Sequence, residues 1–322
     1  MMKNKILDIL KKNGGFVSGE ELSNILGISR SAVWKHINNL KKDGYAVTAV
    51  TNKGYRLDES DVLSAEEVKN NLNTEIIGRN IIYTETVDST NSLAKQRNDE
   101  ADGTVFLTDI QTAGRGRRGK AWKSADKNGL WMTILLKPDI SPQLISCLTL
   151  VAGLAVQRAL TDICGVGFEI KWPNDLVLNK KKVCGILCEM SCEVEKIDYA
   201  VCGIGINLNN EEFDNEIKNI ATSVFIEKGK KVKRCDAAAA VIENFEKLYM
   251  RFIKDGIENI TEEYKEVCAT LGKDVVIVKN GKEERAKALD ITSSGELVIE
   301  SYGKRKIISS GEVSVRGLFG YV

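Results

Sequence analysis

The sequence contains a single histidine, His36, among its 322 residues. A Ser-His-Asp or Cys-His catalytic centre is therefore excluded unless His36 serves it, because such centres move a proton through an imidazole. The eight cysteines include no Cys-x-x-Cys pair. Because zinc sites usually need closer spacing, we predict no metal-ligating residues. Cys184 and Cys188 are expected to lie on one face of a strand as small buried side chains.

Neither a large net charge nor a long apolar run is present. The net charge is +1, with 43% hydrophobic and 28% charged residues, so nucleic-acid binding would have to come from a local patch. Residues 1–7 lack the apolar core of a signal peptide, and the apolar stretch 148–156 is too short to span a bilayer. We expect a cytoplasmic protein with no membrane partner. The length favours two or three domains.

The first sixty residues carry the pattern of a helix-turn-helix followed by a β-hairpin. Ser18 and Ser29 stand where they cap two helices that are joined by a turn at Gly27. We predict a winged helix-turn-helix DNA-binding domain over residues 1–62, with the second of these helices in a major groove. A protein-binding module with a solvated basic face is the alternative. The predicted DNA-contacting residues are Arg30, Ser31, Trp34, Lys35 and Asn38.

The segment Gly114-Arg-Gly-Arg-Arg-Gly119 concentrates glycine and arginine, which suits an anion that approaches the main chain. It satisfies the dinucleotide fingerprint and nearly satisfies the P-loop pattern, but both must open directly into a helix. Here a loop, a turn and the strand-like run 130–136 follow instead. Ala121 also lacks the hydroxyl that a P-loop places on magnesium. A solvated basic hairpin remains the alternative.

The middle of the chain mixes strands and helices. Apolar patterns predict strands at 104–110, 130–136, 183–189 and 199–206, a buried helix over 142–164 and an amphipathic helix over 236–254. This order favours an α+β domain with a mixed sheet over residues 63–270. Polar residues collect at the predicted strand ends, where binding sites concentrate such groups. They are Gln111, Arg115, Arg117, Asp175, Lys182 and Asn207.

From Lys273 onward, short strands alternate with hairpin turns, of which Asn280-Gly281 is a strong type I′ signal. We predict a small β-barrel domain over residues 271–322. A purely structural cap is one role that such a domain can have.

Five segments in order resemble the biotin–protein ligases. They are Asp88-Ser-Thr-Asn91, Gln111-Thr-Ala-Gly-Arg-Gly-Arg-Arg-Gly119, Lys171-Trp-Pro-Asn-Asp175, Lys182-Val-Cys-Gly-Ile-Leu187 and Gly203-Ile-Gly-Ile-Asn207. With the helix-turn-helix, the whole chain resembles the bifunctional biotin ligases and biotin-operon repressors of bacteria. The related lipoate ligases share the catalytic fold but look unlike this chain. They lack the segment 114–119, which we call the arginine loop, and the N-terminal helix-turn-helix.

The resemblance implies a reaction in two steps. Biotin carboxylate attacks the α-phosphate of ATP to give biotinyl-5′-AMP, and a lysine of a biotin carboxyl carrier protein then takes the biotin. Mg²⁺ is expected on the phosphates. The adenylate would also be the corepressor that favours a homodimer on the operator DNA of biotin genes. The C-terminal domain would be SH3-like and would support ATP binding and docking of the carrier. The rival functions are a ligand-responsive repressor without catalysis, a ligase whose N-terminal module no longer represses, and a lipoate–protein ligase.

The resemblance also implies site residues. Lys182 is expected between carboxylate and phosphate oxygens, Arg117 on a closing loop, and Asp175 on the ribose or the attacking amine, as a contact or as a base. Trp122 is either an apolar wall or ordinary core. The catalytic candidates are Lys182, Arg117 and Asp175. The predicted ligand-binding residues are Ser89, Thr90, Asn91, Gln111, Arg115, Gly116, Arg117, Arg118, Trp122, Lys182 and Asn207.

Overall fold

The computed structural model describes residues 2–193, 196–310, 313–317 and 321. It divides the chain into two compact units, Met1–Val62 and Leu63–Val322.

The first unit is a helix-turn-helix with a two-stranded wing. Its elements are α1 (Met2–Asn13), α2 (Gly19–Leu26), α3 (Arg30–Lys42), β1 (Val47–Val50) and β2 (Gly54–Leu57). The Ser18 hydroxyl accepts from the Glu21 amide at 3.0 Å, and the Ser29 hydroxyl accepts from the Ala32 amide at 3.2 Å. These caps begin α2 and α3 at the predicted residues. The apolar stripes of the three helices and the hairpin enclose one small core.

The second unit is built on a seven-stranded mixed sheet with the strand order β3-β4-β5-β9-β8-β7-β6. The strands are β3 (Ile81–Val87), β4 (Val105–Gln111), β5 (Leu130–Leu136), β6 (Glu169–Lys171), β7 (Asp175–Leu178), β8 (Lys181–Glu193) and β9 (Lys196–Ile206). Strands β3 and β4 are parallel and the remaining neighbours are antiparallel. The predicted mixed-sheet α+β architecture is therefore confirmed.

Helices cover both faces of this sheet. They are α4 (Ala65–Asn70), α5 (Thr90–Gln96), α6 (Ile145–Cys164), α7 (Val224–Lys228), α8 (Arg234–Asp255) and α9 (Glu258–Glu266). Helices α6 and α8 pack together over one face, and α5 lies on the opposite face with Phe106, Leu135 and Val201. The segment Pro142–Cys164 is apolar and long enough to cross a membrane, but 67% of its most apolar window is buried inside this fold. It serves as the central core helix that its all-round apolar sequence predicts.

The last strands form a five-stranded antiparallel sheet with the order β13-β12-β11-β10-β14. They are β10 (Asp274–Lys279), β11 (Lys282–Ile291), β12 (Leu297–Ser301), β13 (Lys304–Ile308) and β14 (Ser314–Gly317). Asn280 and Gly281 both have positive φ, at 49° and 77°, as a type I′ turn requires. The core of this sheet continues into the helical layer, and Trp172 Nε1 donates to the Gly295 carbonyl at 3.1 Å. This contact holds the small sheet beside the β6–β7 hairpin.

Gly54 provides a test of how the wing is fixed. Its φ is +100°, and a Cβ there would lie 2.1 Å from the Val17 carbonyl oxygen. We expect Gly54→Ala to destabilise the first unit by about 2–4 kcal/mol, from left-handed strain plus the backbone clash. Hydrogen exchange of the α3 amides measures this loss. Gly27→Ala is the control, because Gly27 has a φ of +65° but no atom within 4 Å of the added Cβ. Equal losses in the two variants would contradict the clash.

Candidate active site

Three glycines on β8 and β9 form a flat surface, the glycine platform, made of Gly185, Gly203 and Gly205. Gly185 pairs with Gly205 across the two strands, and Gly203 lies on the same face two residues earlier. A Cβ at Gly203 would lie 2.2 Å from Asn91 Oδ1, and one at Gly205 would lie 2.7 Å from Trp122 Nε1. The motif Gly203-Ile-Gly-Ile-Asn207 therefore leaves room for Asn91 and Trp122 to lie directly on the sheet.

A cluster of neutral polar side chains adjoins this platform. The Gln111 side-chain oxygen accepts from the Thr90 amide at 2.9 Å, while Gln111 Nε2 donates to the Ser124 hydroxyl at 2.9 Å. The Thr133 hydroxyl lies 2.8 Å from the Thr90 hydroxyl and 2.7 Å from Asn91 Oδ1. These five residues, Thr90, Asn91, Gln111, Ser124 and Thr133, are buried and constitute the neutral cluster.

Ser89 lies at the N-cap position of α5 and is buried, but its side chain makes no capping hydrogen bond. Its amide donates to Asp88 Oδ1 at 2.6 Å. The Ser89 hydroxyl therefore does not cap α5. The role of Ser89 toward a ligand stays a prediction.

Glu189 is a residue that the sequence reasoning missed. It accepts from Asn91 Nδ2 at 2.9 Å and from Lys95 Nζ at 2.7 Å, and Arg115 Nη2 lies 3.5 Å from it. Burial alone would raise the pKa of Glu189, but the hydrogen bonds from Lys95 and Asn91 lower it, so the carboxylate is charged.

Glu189 shares the platform face with Gly185, because residues four apart on a strand point the same way. That alternation is the signal by which the sequence could have identified it.

The arginine loop folds back on itself and contacts the small C-terminal sheet. The Trp122 amide donates to the Gly114 carbonyl at 2.8 Å. Arg117 Nη1 donates to Asn174 Oδ1 at 2.9 Å, and Nη2 donates to the carbonyls of Ser310 and Val313. Burial lowers the pKa of Arg117. The loop therefore places a desolvated guanidinium between the two sheets.

The next residue, Arg118, has a φ of 57° and donates through Nη1 to the Val278 carbonyl at 3.3 Å. Gly116, also a predicted ligand contact, donates its amide to the Lys120 carbonyl at 2.7 Å. Arg115 is directed instead toward Glu189. The three arginines of the loop thus have three different partners, and their contacts to a ligand stay predictions.

The segment Lys171-Trp-Pro-Asn-Asp175 forms the turn of the β6–β7 hairpin, and Lys171 and Asp175 are directly opposite each other at the strand ends. Lys182 Nζ lies 2.6 Å from Asp175 Oδ1 and 5.1 Å from the centre of the Trp122 ring. Lys171 is only 6% exposed. We call Lys171, Lys182 and Arg117, which surround the single carboxylate of Asp175, the cationic cluster. Buried positive charge in excess of its carboxylate partner is suited to a polyanion.

Asn207 has a clear structural contact. Its Nδ2 donates to the Thr222 carbonyl at 3.1 Å, and its amide donates to the Val183 carbonyl at 2.8 Å. The main chain of Lys182 is also bonded to this region, at Ile220 and Thr222. The polar segment 209–221 is therefore held beside Lys182, while a direct ligand contact by Asn207 stays a prediction.

The predicted DNA-contacting residues lie together on α3. Arg30, Ser31 and Lys35 are exposed, Asn38 is half-buried, and Trp34 is 61% exposed. A large exposed aromatic ring among basic residues is the kind of surface that a nucleic-acid interface uses.

Among residues 2–193, 196–310, 313–317 and 321, no group of three His, Cys, Asp or Glu side chains could hold a metal ion. Cys184 is buried and Cys188 is half-buried, both on β8. The involvement of Mg²⁺, bound to the phosphates of a nucleotide, stays a prediction.

Profiles of known families match three parts of the chain. Residues 83–207 match the biotin/lipoate A/B protein ligase family, residues 3–56 match an HTH domain, and residues 270–316 match the biotin protein ligase C terminal domain. The glycine platform and both clusters lie on the mixed sheet or on the loops that join its strands. Fold and site therefore define a protein ligase of the biotin and lipoate class.

Full-length relatives specify the family further. The chain is 36% identical over 320 residues to the bifunctional ligase/repressor BirA of Bacillus subtilis, covering 98% of each chain. It is 30% identical to the corresponding protein of Escherichia coli, covering 95% of each. A solved structure of the biotin protein ligase from Aquifex aeolicus, in complex with biotin and ATP, superposes with a TM-score of 0.68 at 33% identity and covers 74% of this chain and 99% of that one. The chain belongs to the family of bifunctional biotin–protein ligases and biotin-operon repressors.

Lys171 provides a pH-dependent test of the cationic cluster. Burial, reinforced by the charges of Lys182, Arg316 and Lys120 and opposed by Asp175, lowers the pKa of Lys171 to about 8. Its ammonium group should therefore be charged below about pH 8 and neutral above it, whereas an ordinary lysine titrates near 10.4. The ¹³Cε shift of Lys171, assigned by its disappearance in Lys171→Arg, follows this change. A midpoint above about pH 10 would show that the site is solvated.

Proposed function

We propose that this chain is an ATP-dependent biotin–[carboxyl carrier protein] ligase that forms biotinyl-5′-AMP and also acts as a biotin-responsive transcriptional repressor. One observation carries the ligase proposal: the neutral and the cationic cluster meet across the glycine platform. The Asn91 side chain lies against Gly203, and the Trp122 ring lies against Gly205. At Gly185, an added Cβ would lie 3.2 Å from Lys182 Nζ. Because residues two apart on a strand are about 7 Å apart, the whole row spans the length of a small molecule.

The neutral cluster fits the head of biotin. A ureido ring donates two hydrogen bonds and accepts at its oxygen, and hydroxyl and amide side chains can match both kinds of group. Thr90, Asn91 and Gln111 supply such groups in a water-poor environment. Trp122 is half-buried and its ring lies against Gly185 and Gly205, which supports an apolar wall of the site rather than simple core packing. These contacts would orient the valerate carboxylate toward Lys182.

The cationic cluster fits the phosphates of ATP. A carboxylate must approach a polyanion, and fixed positive charges reduce the repulsion between them. Lys171, Lys182, Arg117 and Arg118 would hold these oxygens, and Mg²⁺ would arrive with the nucleotide. The polar segment 209–221, bonded to the main chain of Lys182, would cover the adenine.

In the first step, a biotin carboxylate oxygen forms a bond to the α-phosphorus while the bond from that phosphorus to the pyrophosphate oxygen breaks. Lys182 Nζ would donate to oxygens of both reactants and stabilise the charge that they share. Arg117 would neutralise charge from the loop side. The step needs no covalent nucleophile on the protein, which agrees with a sequence whose only histidine is His36.

In the second step, the amine of a carrier lysine attacks the carbonyl carbon of the adenylate, and the bond to AMP breaks. The amine must lose a proton. Asp175 would accept this proton, position the amine or bind the ribose, and its contact with Lys182 is compatible with each of these roles.

Lys182 can be tested against a neighbour in the same strand. We expect Lys182→Ala to lower the rate of biotin-dependent pyrophosphate release by about 100-fold or more, because the transition-state charge loses its fixed donor. Lys181→Ala is the control, since the Lys181 side chain donates to the Lys218 carbonyl at 3.5 Å rather than to Asp175. Wild-type release from Lys182→Ala, with the fold intact, would refute the assignment.

The regulatory half of the proposal uses the adenylate as a corepressor. Its binding would close the loops around the platform and favour a homodimer that places two α3 helices on one operator. The exposed basic face of α3 and the ligase/repressor relatives support this role. We further propose a cytoplasmic location, which the eight free cysteines favour. Residues 1–62, 63–270 and 271–322 would be the DNA-binding, catalytic and C-terminal domains.

The link between catalysis and repression has a direct test. Wild-type protein should shift operator DNA in a gel when biotin and ATP are both present, and sedimentation should then show a dimer. Lys182→Ala should respond poorly to biotin plus ATP but should respond to synthetic biotinyl-5′-AMP at a higher concentration than the wild type needs, because the neutral cluster still holds the biotin head. Trp34→Ala should lose the shift while retaining biotin transfer.

Two outcomes would favour the rival functions. A shift by biotin alone, without any transfer of labelled biotin, would favour a repressor without catalysis, and competition by lipoate would favour a lipoate ligase.

A further inference from the structure

Tyr321 contacts one residue of the cationic cluster, Lys171, and the carboxylate of Asp175, from a distant part of the chain. Its hydroxyl donates to Asp175 Oδ2. Its ring lies under the Lys171 ammonium, with Nζ 3.5 Å from the ring centroid. Because Lys171 and Asp175 are opposite each other in the β6–β7 hairpin, a single side chain reaches both.

The phenol is held in its protonated form. Burial, together with the negative charge of Asp175, raises the pKa of Tyr321, which favours the phenol as the donor of this hydrogen bond. The bond to Oδ2 leaves Asp175 Oδ1 directed at Lys182 Nζ, 2.6 Å away. The orientation of the carboxylate, and through it that of Lys182, therefore depends on the phenol. A hydrogen bond to a charged group is one of the stronger side-chain contacts.

We propose that Tyr321 is a positioning residue for adenylate formation, acting through Asp175 on Lys182. The inference rests on the proposed ligase function. Lys182 must direct its ammonium group to the point where the biotin carboxylate meets the α-phosphate. A carboxylate held through Oδ2 by Tyr321 limits the positions of Oδ1, and the ion pair with Oδ1 then limits those of the ammonium. The ring of Tyr321 also shields Lys171 from water on the side next to the C-terminal sheet.

The first experiment compares Tyr321→Phe with the wild type in biotin-dependent pyrophosphate release by the full chain. Phenylalanine keeps the ring under Lys171 and removes only the hydroxyl. We expect kcat to fall by about tenfold, as the loss of one hydrogen bond to a charged group predicts, with the KM for biotin changed by less than about twofold. Tyr302→Phe is the matched control, because Tyr302 is 90% exposed in the same C-terminal sheet region.

The second experiment asks whether the effect passes through Asp175. Asp175→Asn and the double variant with Tyr321→Phe complete a double-mutant cycle on kcat. If the phenol acts on Lys182 only by fixing the carboxylate, the double variant should be no slower than Asp175→Asn alone. A purely structural role would instead lower kcat in both backgrounds by the same factor.

Every outcome of these two experiments either supports or overturns the role proposed for Tyr321. Loss of kcat in Tyr321→Phe that disappears in the Asp175→Asn background supports the inference. Wild-type kcat, a faster reaction, an additive cycle, or a melting temperature far below that of the wild type each overturn it, the last because the phenol would then be needed for the fold. A wild-type chain that releases no pyrophosphate from biotin and ATP would overturn the proposed function itself and this inference with it.

Discussion

Two anions must meet in the site, and the cost of bringing them together shapes the whole ligase unit. The chain has a net charge of only +1, yet Lys171, Lys182 and Arg117 converge on one carboxylate. Burial, with a smaller contribution from the neighbouring cations, lowers the pKa of Lys171, so its charged form is disfavoured in the absence of an anionic ligand. Proteins keep strained electrostatics of this kind mainly at functional sites, where a substrate supplies the missing charge.

The remaining architecture can be understood as the support for this cluster. The β6–β7 hairpin presents Lys171 and Asp175, and β8 adds Lys182 beside the glycine platform. The small C-terminal sheet shares its core with the helical layer and receives Arg117 and Arg118 on main-chain carbonyls. The C-terminal region therefore contributes directly to the geometry of the cationic cluster. Tyr321, which also belongs to this region, contributes by donating a hydrogen bond to Asp175.

Local patterns predicted much of the fold. Ser18 and Ser29 mark two helix starts, the all-round apolar run marks the central helix, and Asn280-Gly281 marks a hairpin turn, because each depends on neighbours in sequence. Strand β7 was missed, because its four residues are too few to show a strand pattern. The short helices α4 and α7 were also missed, since five or six residues carry too little periodicity to be recognised. Strand alternation places Glu189 on the platform face, but its partners, like those of Tyr321, lie about a hundred or more residues away in sequence, where no local pattern identifies a contact.

The central claim is that one half of the site recognises charge and the other half recognises neutral polar groups. Titration calorimetry of the full chain with biotin, and separately with a non-hydrolysable ATP analogue in the presence of biotin, tests it most directly. The titrations would be repeated from about 0.1 M to about 1 M NaCl, over which the Debye length falls from about 10 Å to about 3 Å. The account predicts that the affinity for the nucleotide falls by about tenfold or more while the affinity for biotin stays nearly constant. Nucleotide binding that is indifferent to salt, or biotin binding that weakens equally, would contradict it.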